Sequence, residues 1–241
     1  MRNLKIYILG FLSLFLTQSC SVDSTSDVSS VTNFAVITLG GPSEFLLHEG
    51  DPYVEPGATA TENGNNVEVT TQSVGLFTGG SLDVDTPDIY SLSYSAINSD
   101  GFASAAARTV IVAGLGDLVT DLSGLYTSTI VRNGVSGAQY TDIHYILIWK
   151  KANGDFQFSD GIGGYYMFGR GYGLNYAAQG ATVTVNGEND FTFGPTFGVG
   201  AFGGNADMTE MTTDSVAKTI DFTTEWDAGY TFVVHLEQVQ F

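Results

Sequence analysis

Three histidines, one cysteine, two tryptophans and 26 carboxylates are the groups from which this 241-residue chain could build a reaction centre or a ligand site. His48, His144 and His235 stand alone, and none forms the H-x-x-x-H spacing that places two imidazoles on one metal. No G-x-S-x-G elbow presents a nucleophilic serine. Glycoside hydrolysis would need two carboxylates at a set separation, and no spacing singles out such a pair. The chain therefore reads as a non-enzyme without a cofactor. Asp83, Asp85, Asp88 and Asp100 form a weak calcium set, because that ion takes six to eight oxygens. A solvated acidic loop is the plainer reading of the four. Sugar binding asks for less: a ring face against the apolar side of a pyranose, with polar groups beside it. Trp149, Tyr165, Tyr166, Arg170, Tyr172, Tyr176 and Trp226 supply those types. Burial competes for them, since aromatics in a β protein mostly fill the core. Trp149 alternates with Tyr145 and Leu147 as a core face would, so Tyr172 and Arg170 are the better candidates for exposure.

Most of these residues lie in or near the segment SDGIGGYYMFGRGYGLNY (159–176). Its glycines invite a phosphate-loop reading, but no Lys-Ser/Thr follows and no helix is expected to begin there. The flanking sequence reads as hairpins: 143–151 into 156–158, 182–185 through Asn186-Gly187 into 191–193, and 219–226 through 227–229 into 230–239. Hairpins without helices predict an antiparallel up-and-down sheet, barrel-like or sandwiched, over 117–241, with the glycines at its bends. The fold class is all-β.

Residues 33–114 read as a smaller β-sandwich. Tyr90 to Ala96 alternates large side chains with serines, and Asn98 to Gly101 turns the chain into Ala107–Val112. Pro52 and Pro56 suit a crossing between sheets, and Asn63–Asn66 reads as a turn before a strand at 67–70. About seven short strands in about 80 residues is the size of an immunoglobulin-type sandwich, with Tyr90 placed to make a tyrosine corner. Gly114-Leu115-Gly116 marks the boundary.

The first 19 residues carry Arg2 and Lys5, then an apolar run of about eleven residues. That run falls short of the roughly 20 needed to span a bilayer, so it reads as a signal peptide. Cys20 follows directly, and its acylation would account for an otherwise unpaired cysteine in an exported chain. Residues 20–32 are then the lipidated cysteine and a Ser/Asp-rich tether. Removal of 1–19 leaves 6 basic residues against 26 acidic, a net charge of −20. Such a surface disfavours nucleic acid, whose binding rests on cation–phosphate contacts. At 43% apolar and 12% aromatic, the chain is too hydrophobic to be disordered.

Three resemblances add to this reading. Thr17-Gln18-Ser19-Cys20 resembles the lipobox cut by lipoprotein signal peptidase, although Leu16 sits one place early. GDPYVEPGATA (50–60), DIYSLSYSAINSDGF (88–102) and RTVIV (108–112) resemble the Ig-like domain of bacterial surface proteins, related to HYR and cadherin-like modules. The glycine segment and IDFTTEWDAGYTFVVHLEQV (220–239) resemble a C-terminal β domain found behind that module in lipoproteins of Bacteroidota glycan-utilisation loci. The resemblance implies an outer-membrane lipoprotein facing the exterior, anchored through Cys20. It also implies polysaccharide or glycan-importer components as partners. An accessory glycan-binding role follows; the alternative is a structural or protein-interaction module with the Ig-like domain as spacer.

Overall fold

The computed structural model describes residues 31–241, so Cys20 and the leader lie outside the described residues. Residues 35–241 hold together as one compact unit. Its N-terminal part is a two-sheet sandwich. One sheet contains β1 (Val36–Leu39), β3 (Ala58–Glu62) and β4 (Asn65–Val67). The other contains β2 (Glu44–His48), β7 (Ala103–Ala113), β6 (Asp88–Ile97) and β5 (Thr70–Gly75), in that order. The alternation in β6 does what its spacing predicts: Tyr90, Leu92, Tyr94 and Ala96 are buried, while Ser91 and Ser93 face water. Tyr90 forms the expected corner, its hydroxyl donating to the Thr86 carbonyl at 2.9 Å.

The run 67–70 differs from its reading as one strand. Val67 ends β4 in one sheet and Thr70 opens β5 in the other, so the chain changes sheets there. Between the sheets, Arg108 is fully buried yet satisfied. It pairs with Glu55 and donates to the Gly40 and Pro42 carbonyls and to the Tyr94 hydroxyl. Glu55 reaches this position because Pro52 and Pro56 keep residues 51–57 out of either sheet.

The C-terminal part is a curled nine-stranded antiparallel half-barrel. It comprises β8 (Gly124–Arg132), β9 (Ile143–Lys150), β10 (Phe156–Phe158), β11 (Thr182–Gly187) and β12 (Asp190–Phe193). β13 (Phe197–Val199), β14 (Gly203–Asp214), β15 (Thr219–Trp226) and β16 (Tyr230–Gln238) complete it. The spatial order is β12-β11-β10-β9-β8-β16-β15-β14-β13, so the first and last strands pair at its centre. A second tyrosine corner starts this sheet, with the Tyr126 hydroxyl donating to the Leu122 carbonyl at 2.6 Å.

The half-barrel does not close by main-chain pairing, because β12 and β13 end the strand order. Instead the Asn189 side-chain amide reaches β14, its carbonyl oxygen accepting from Thr213 N–H at 2.6 Å and its NH₂ donating to Thr213 O at 3.2 Å. Asn189 is also the true turn residue of the β11–β12 hairpin, at φ +53°. The turn lies at 188–189, not at Asn186-Gly187, because a bulge after Val185 lengthens β11. Strand β14 has no counterpart in the sequence reading. Its buried residues are Ala206, Met208 and Met211, and a bulge between Met208 and Glu210 breaks the period of two.

Sandwich and half-barrel meet through an apolar cluster. The outer face of the four-stranded sheet gives Leu46, Ile89 and Ile111, and the half-barrel gives Leu125, Tyr145, Leu147 and Trp149. Trp149 stacks on Phe77 at 6.0 Å.

Candidate functional site

The glycine segment makes no bends at sheet corners, contrary to its reading. It runs as an irregular loop across the inside of the half-barrel. After β10, Ser159 holds both polar groups of Leu147: its hydroxyl accepts from Leu147 N–H at 3.0 Å, and its N–H donates to Leu147 O at 2.9 Å. The Thr224 hydroxyl on β15 then donates to Gly161 O at 2.6 Å, a buried link between loop and sheet. Gly163 passes so close to the wall that a Cβ there would lie 2.6 Å from a Val234 methyl and 2.8 Å from Ser128 Oγ. Its φ of +70° adds a second reason for glycine.

Two short helical turns do form, against the expectation of none: a π turn at Tyr165–Gly169 and a 3-10 turn at Leu174–Tyr176. Tyr165–Gly169 is a single π turn, closed by Gly169 N–H to Gly164 O at 3.1 Å and Arg170 N–H to Tyr165 O at 3.0 Å. Such five-residue turns place consecutive side chains differently from an α-helix and recur at functional sites. Here the turn directs Tyr165 and Tyr166 into an aromatic cluster and leaves Arg170 and Tyr172 exposed.

Six of the seven candidates from the sequence are gathered in this cluster. Tyr165 and Tyr166 are nearly buried, at 2% and 7%, as is Trp226 at 8%. Tyr172 is half exposed and lies parallel to Tyr166, at 6.3 Å and 12°. Tyr176 packs edge-on against Tyr172 at 5.1 Å and against Phe202 at 5.0 Å. Trp149 is elsewhere, in the junction between the two parts, because the face of β9 that carries it is the convex one. Burial removes Tyr165, Tyr166 and Trp226 from direct ring contact with a ligand and makes them supports.

The sequence reading missed Phe202, Arg132, Tyr140 and Tyr230. Phe202 carries the same signal that marked Tyr172, an aromatic between glycines, and is 47% exposed. Arg132 ends an apolar strand in a chain with few cations, and only the tertiary structure brings it to the cluster. Its guanidinium lies 4.8 Å from the Tyr165 ring centre and 4.6 Å from that of Tyr230, and donates to the Tyr166 hydroxyl at 3.2 Å. Arg170 lies 5.8 Å from the same Tyr165 ring and 5.7 Å from Tyr140, which stacks on Tyr165 at 4.2 Å. Between the two arginines is an open cavity of about 400 Å³, whose polar lining includes Asn133, Ser136 and Gln139 and, among the described residues, no carboxylate. Burial raises the Tyr140 hydroxyl, but Tyr165, Gln139 and the charges of Arg170 and Arg132 outweigh it and hold it below the usual phenol value. Burial and the Tyr140 hydroxyl raise Tyr165.

The calcium candidates do not assemble. Asp88 is fully buried, accepting from Phe77 and Thr78 N–H at 3.0 and 2.8 Å and from the Thr78 hydroxyl at 2.6 Å. Asp83 accepts from Asp85 N–H and the Thr86 hydroxyl, and Asp100 sits in the β6–β7 turn. Among the described residues, no three His, Cys, Asp or Glu are placed to share a metal. The histidines are dispersed: His48 stacks on Phe241, His144 on Tyr145, and His235 pairs with Asp221.

This architecture has known relatives. A family model described as the Ig-like domain of bacterial surface proteins matches residues 37–112, and a second, describing a C-terminal domain, matches 115–238. Among solved structures, the lipoprotein BT2262 from Bacteroides thetaiotaomicron is 31% identical, with a TM-score of 0.63. The match covers 85% of this chain and all of that one. The chain belongs to the family of that lipoprotein. No curated protein matches it significantly. Along this chain the Ig-like match comes first and is followed by the C-terminal domain that carries the aromatic cluster.

Proposed function

We propose that the chain is a lipoprotein held to the outer membrane through Cys20, facing the exterior, whose half-barrel binds a glycan. One observation carries the binding reading: Tyr172 and Phe202 stand about half exposed on a surface backed by buried aromatic rings. Water-facing rings held by a rigid support suit the apolar faces of pyranoses. The lipoprotein relative supports the anchor, as does a leader that ends at the chain's one cysteine. Catalysis has no comparable support.

Affinity gel electrophoresis of the purified chain against a panel of plant and host polysaccharides tests the reading. Retardation by at least one glycan, lost in Tyr172→Ala and Phe202→Ala, is the expected result. No retardation across the panel overturns it.

A spacer or protein-interaction module is the second reading, and two observations favour it. Tyr172 and Phe202 are tilted by 59° and so form no flat platform. The apolar junction also suits a stiff stalk.

A further inference from the structure

The cavity between Arg132 and Arg170 has a charge pattern opposite to that of the molecule. The chain carries a net charge of −18, yet two guanidinium groups converge here and, among the described residues, no carboxylate lines the space. Neither arginine belongs to any ion pair among the described residues, whereas Arg108 pairs with Glu55. Two like charges held at 4.8 and 5.8 Å from one ring centre repel each other. A purely structural role would be served by a single cation stacked on Tyr165.

The remaining hydrogen-bonding capacity is large. Arg132 uses one donor on the Tyr166 hydroxyl and Arg170 one, at 3.5 Å, on that of Tyr165, out of five N–H groups on each guanidinium. Ring stacking orients both planes without consuming those edges. The Tyr140 hydroxyl beside them is buried, and Tyr165, Gln139 and, after them, the charges of Arg170 and Arg132 hold it below the usual phenol value.

We propose that this cavity is a subsite for the carboxylate of an acidic saccharide, adjoining the aromatic surface through Arg170 and Tyr172. The inference rests on the glycan reading and names its substrate class. Size agrees, since about 400 Å³ lies within the roughly 300–1,000 Å³ of small-ligand sites. Asn133, Ser136 and Gln139 add neutral donors and acceptors for ring hydroxyls. Continuity comes from Arg170, which lines the cavity two residues from the exposed Tyr172 and feels its phenol electrostatically. Arginine forks match a carboxylate in two parallel hydrogen bonds. The acidic remainder of the surface repels polyanions at long range, while screening over about 8 Å leaves a single anion free to meet the arginine pair. A localised carboxylate on an otherwise neutral ring therefore fits better than a nucleic acid.

Calorimetric titration of the purified chain with uronic-acid oligosaccharides, each beside its neutral methyl ester, tests this. The acid form is expected to bind at least about tenfold tighter, the worth of one charge-assisted hydrogen bond. Arg170→Gln should bring the ratio of acid to ester affinity close to one, and Arg170→Lys should retain part of it. Equal binding of acid and ester by the unaltered chain overturns the subsite and leaves the glycan reading standing. A preference that Arg170→Gln does not change also overturns it. Binding of neither form overturns the subsite, while the polysaccharide panel decides the glycan reading separately.

Discussion

Asp160 shows how far a single buried residue can be read. It is completely buried at the start of the glycine segment, where Oδ1 accepts from Ile162 N–H at 2.9 Å and Oδ2 has no hydrogen bond of good geometry among the described residues. Burial pushes its carboxyl up to about 6, against main-chain donors that pull it down. A carboxyl whose folded pKa lies above its unfolded value of 3.8 costs nothing while both states are protonated. The cost grows as pH rises from that value through about 6, and the shift corresponds to roughly 3 kcal/mol above that window. Asp160→Asn keeps the Oδ1 acceptor and removes the charge. Its melting temperature should exceed that of the unaltered chain at pH 8 and match it near pH 4, as differential scanning calorimetry would record. Glu55 has the opposite sign. Burial raises it, but Tyr53, Tyr94, the Gly57 N–H and Arg108 together hold it below the ordinary range, so its contribution is lost only as acid protonates it.

At the scale of elements, the glycine loop is what makes this half-barrel unlike an empty one. Its backbone approaches the sheet at Gly163 and again at Gly161, where a Cβ would lie 2.5 Å from the Phe197 ring. Gly163→Ala should therefore destabilise by about 3 kcal/mol, from overpacking added to a left-handed backbone. Gly171 shares the positive φ, +68°, but nothing lies within 4 Å of its Cβ position. Gly171→Ala should cost only about 1 kcal/mol. Urea denaturation of the pair separates close approach from backbone strain, and equal losses would refute the packing account. The hairpins were legible because Asn153-Gly154 and Asp227-Ala228-Gly229 turn within four residues of a strand end. The β11–β12 turn was misplaced because Asn186-Gly187 is as good a turn pair as any, and a bulge depends on the partner strand. β14 escaped notice because its sequence is polar and the bulge between Met208 and Glu210 breaks the alternation.

For the whole molecule, the junction decides how its parts are used. Ile89 and Ile111 alternate with the sandwich-core residues Tyr90 and Val110, so both faces of the four-stranded sheet are apolar. One face makes the sandwich core and the other receives Trp149 and Leu147. Trp149 was therefore correctly paired in sequence with Tyr145 and Leu147, although the face they share is that of the junction and not the barrel core. The anchor belongs to this scale as well. Cys20→Ala should move the protein from the membrane fraction to the soluble fraction of fractionated cells; retention in the membrane would rule out acylation there as the attachment.

Sequence alone determined the all-β class, the two-part order, the tyrosine corner at Tyr90 and the aromatic character of the glycine segment. Each of these depends on local spacing: a period of two along a strand, glycine-bearing turns, or aromatics between glycines. Only the tertiary structure decided which aromatics are support and which are surface. It also decided that Arg132, nearly forty residues before Arg170, shares a ring with it, since that depends on β8, β16 and the π turn meeting across the sheet. The cavity between the two arginines is such a property: its residues come from separate elements, and no spacing along the chain encodes which side chains line it.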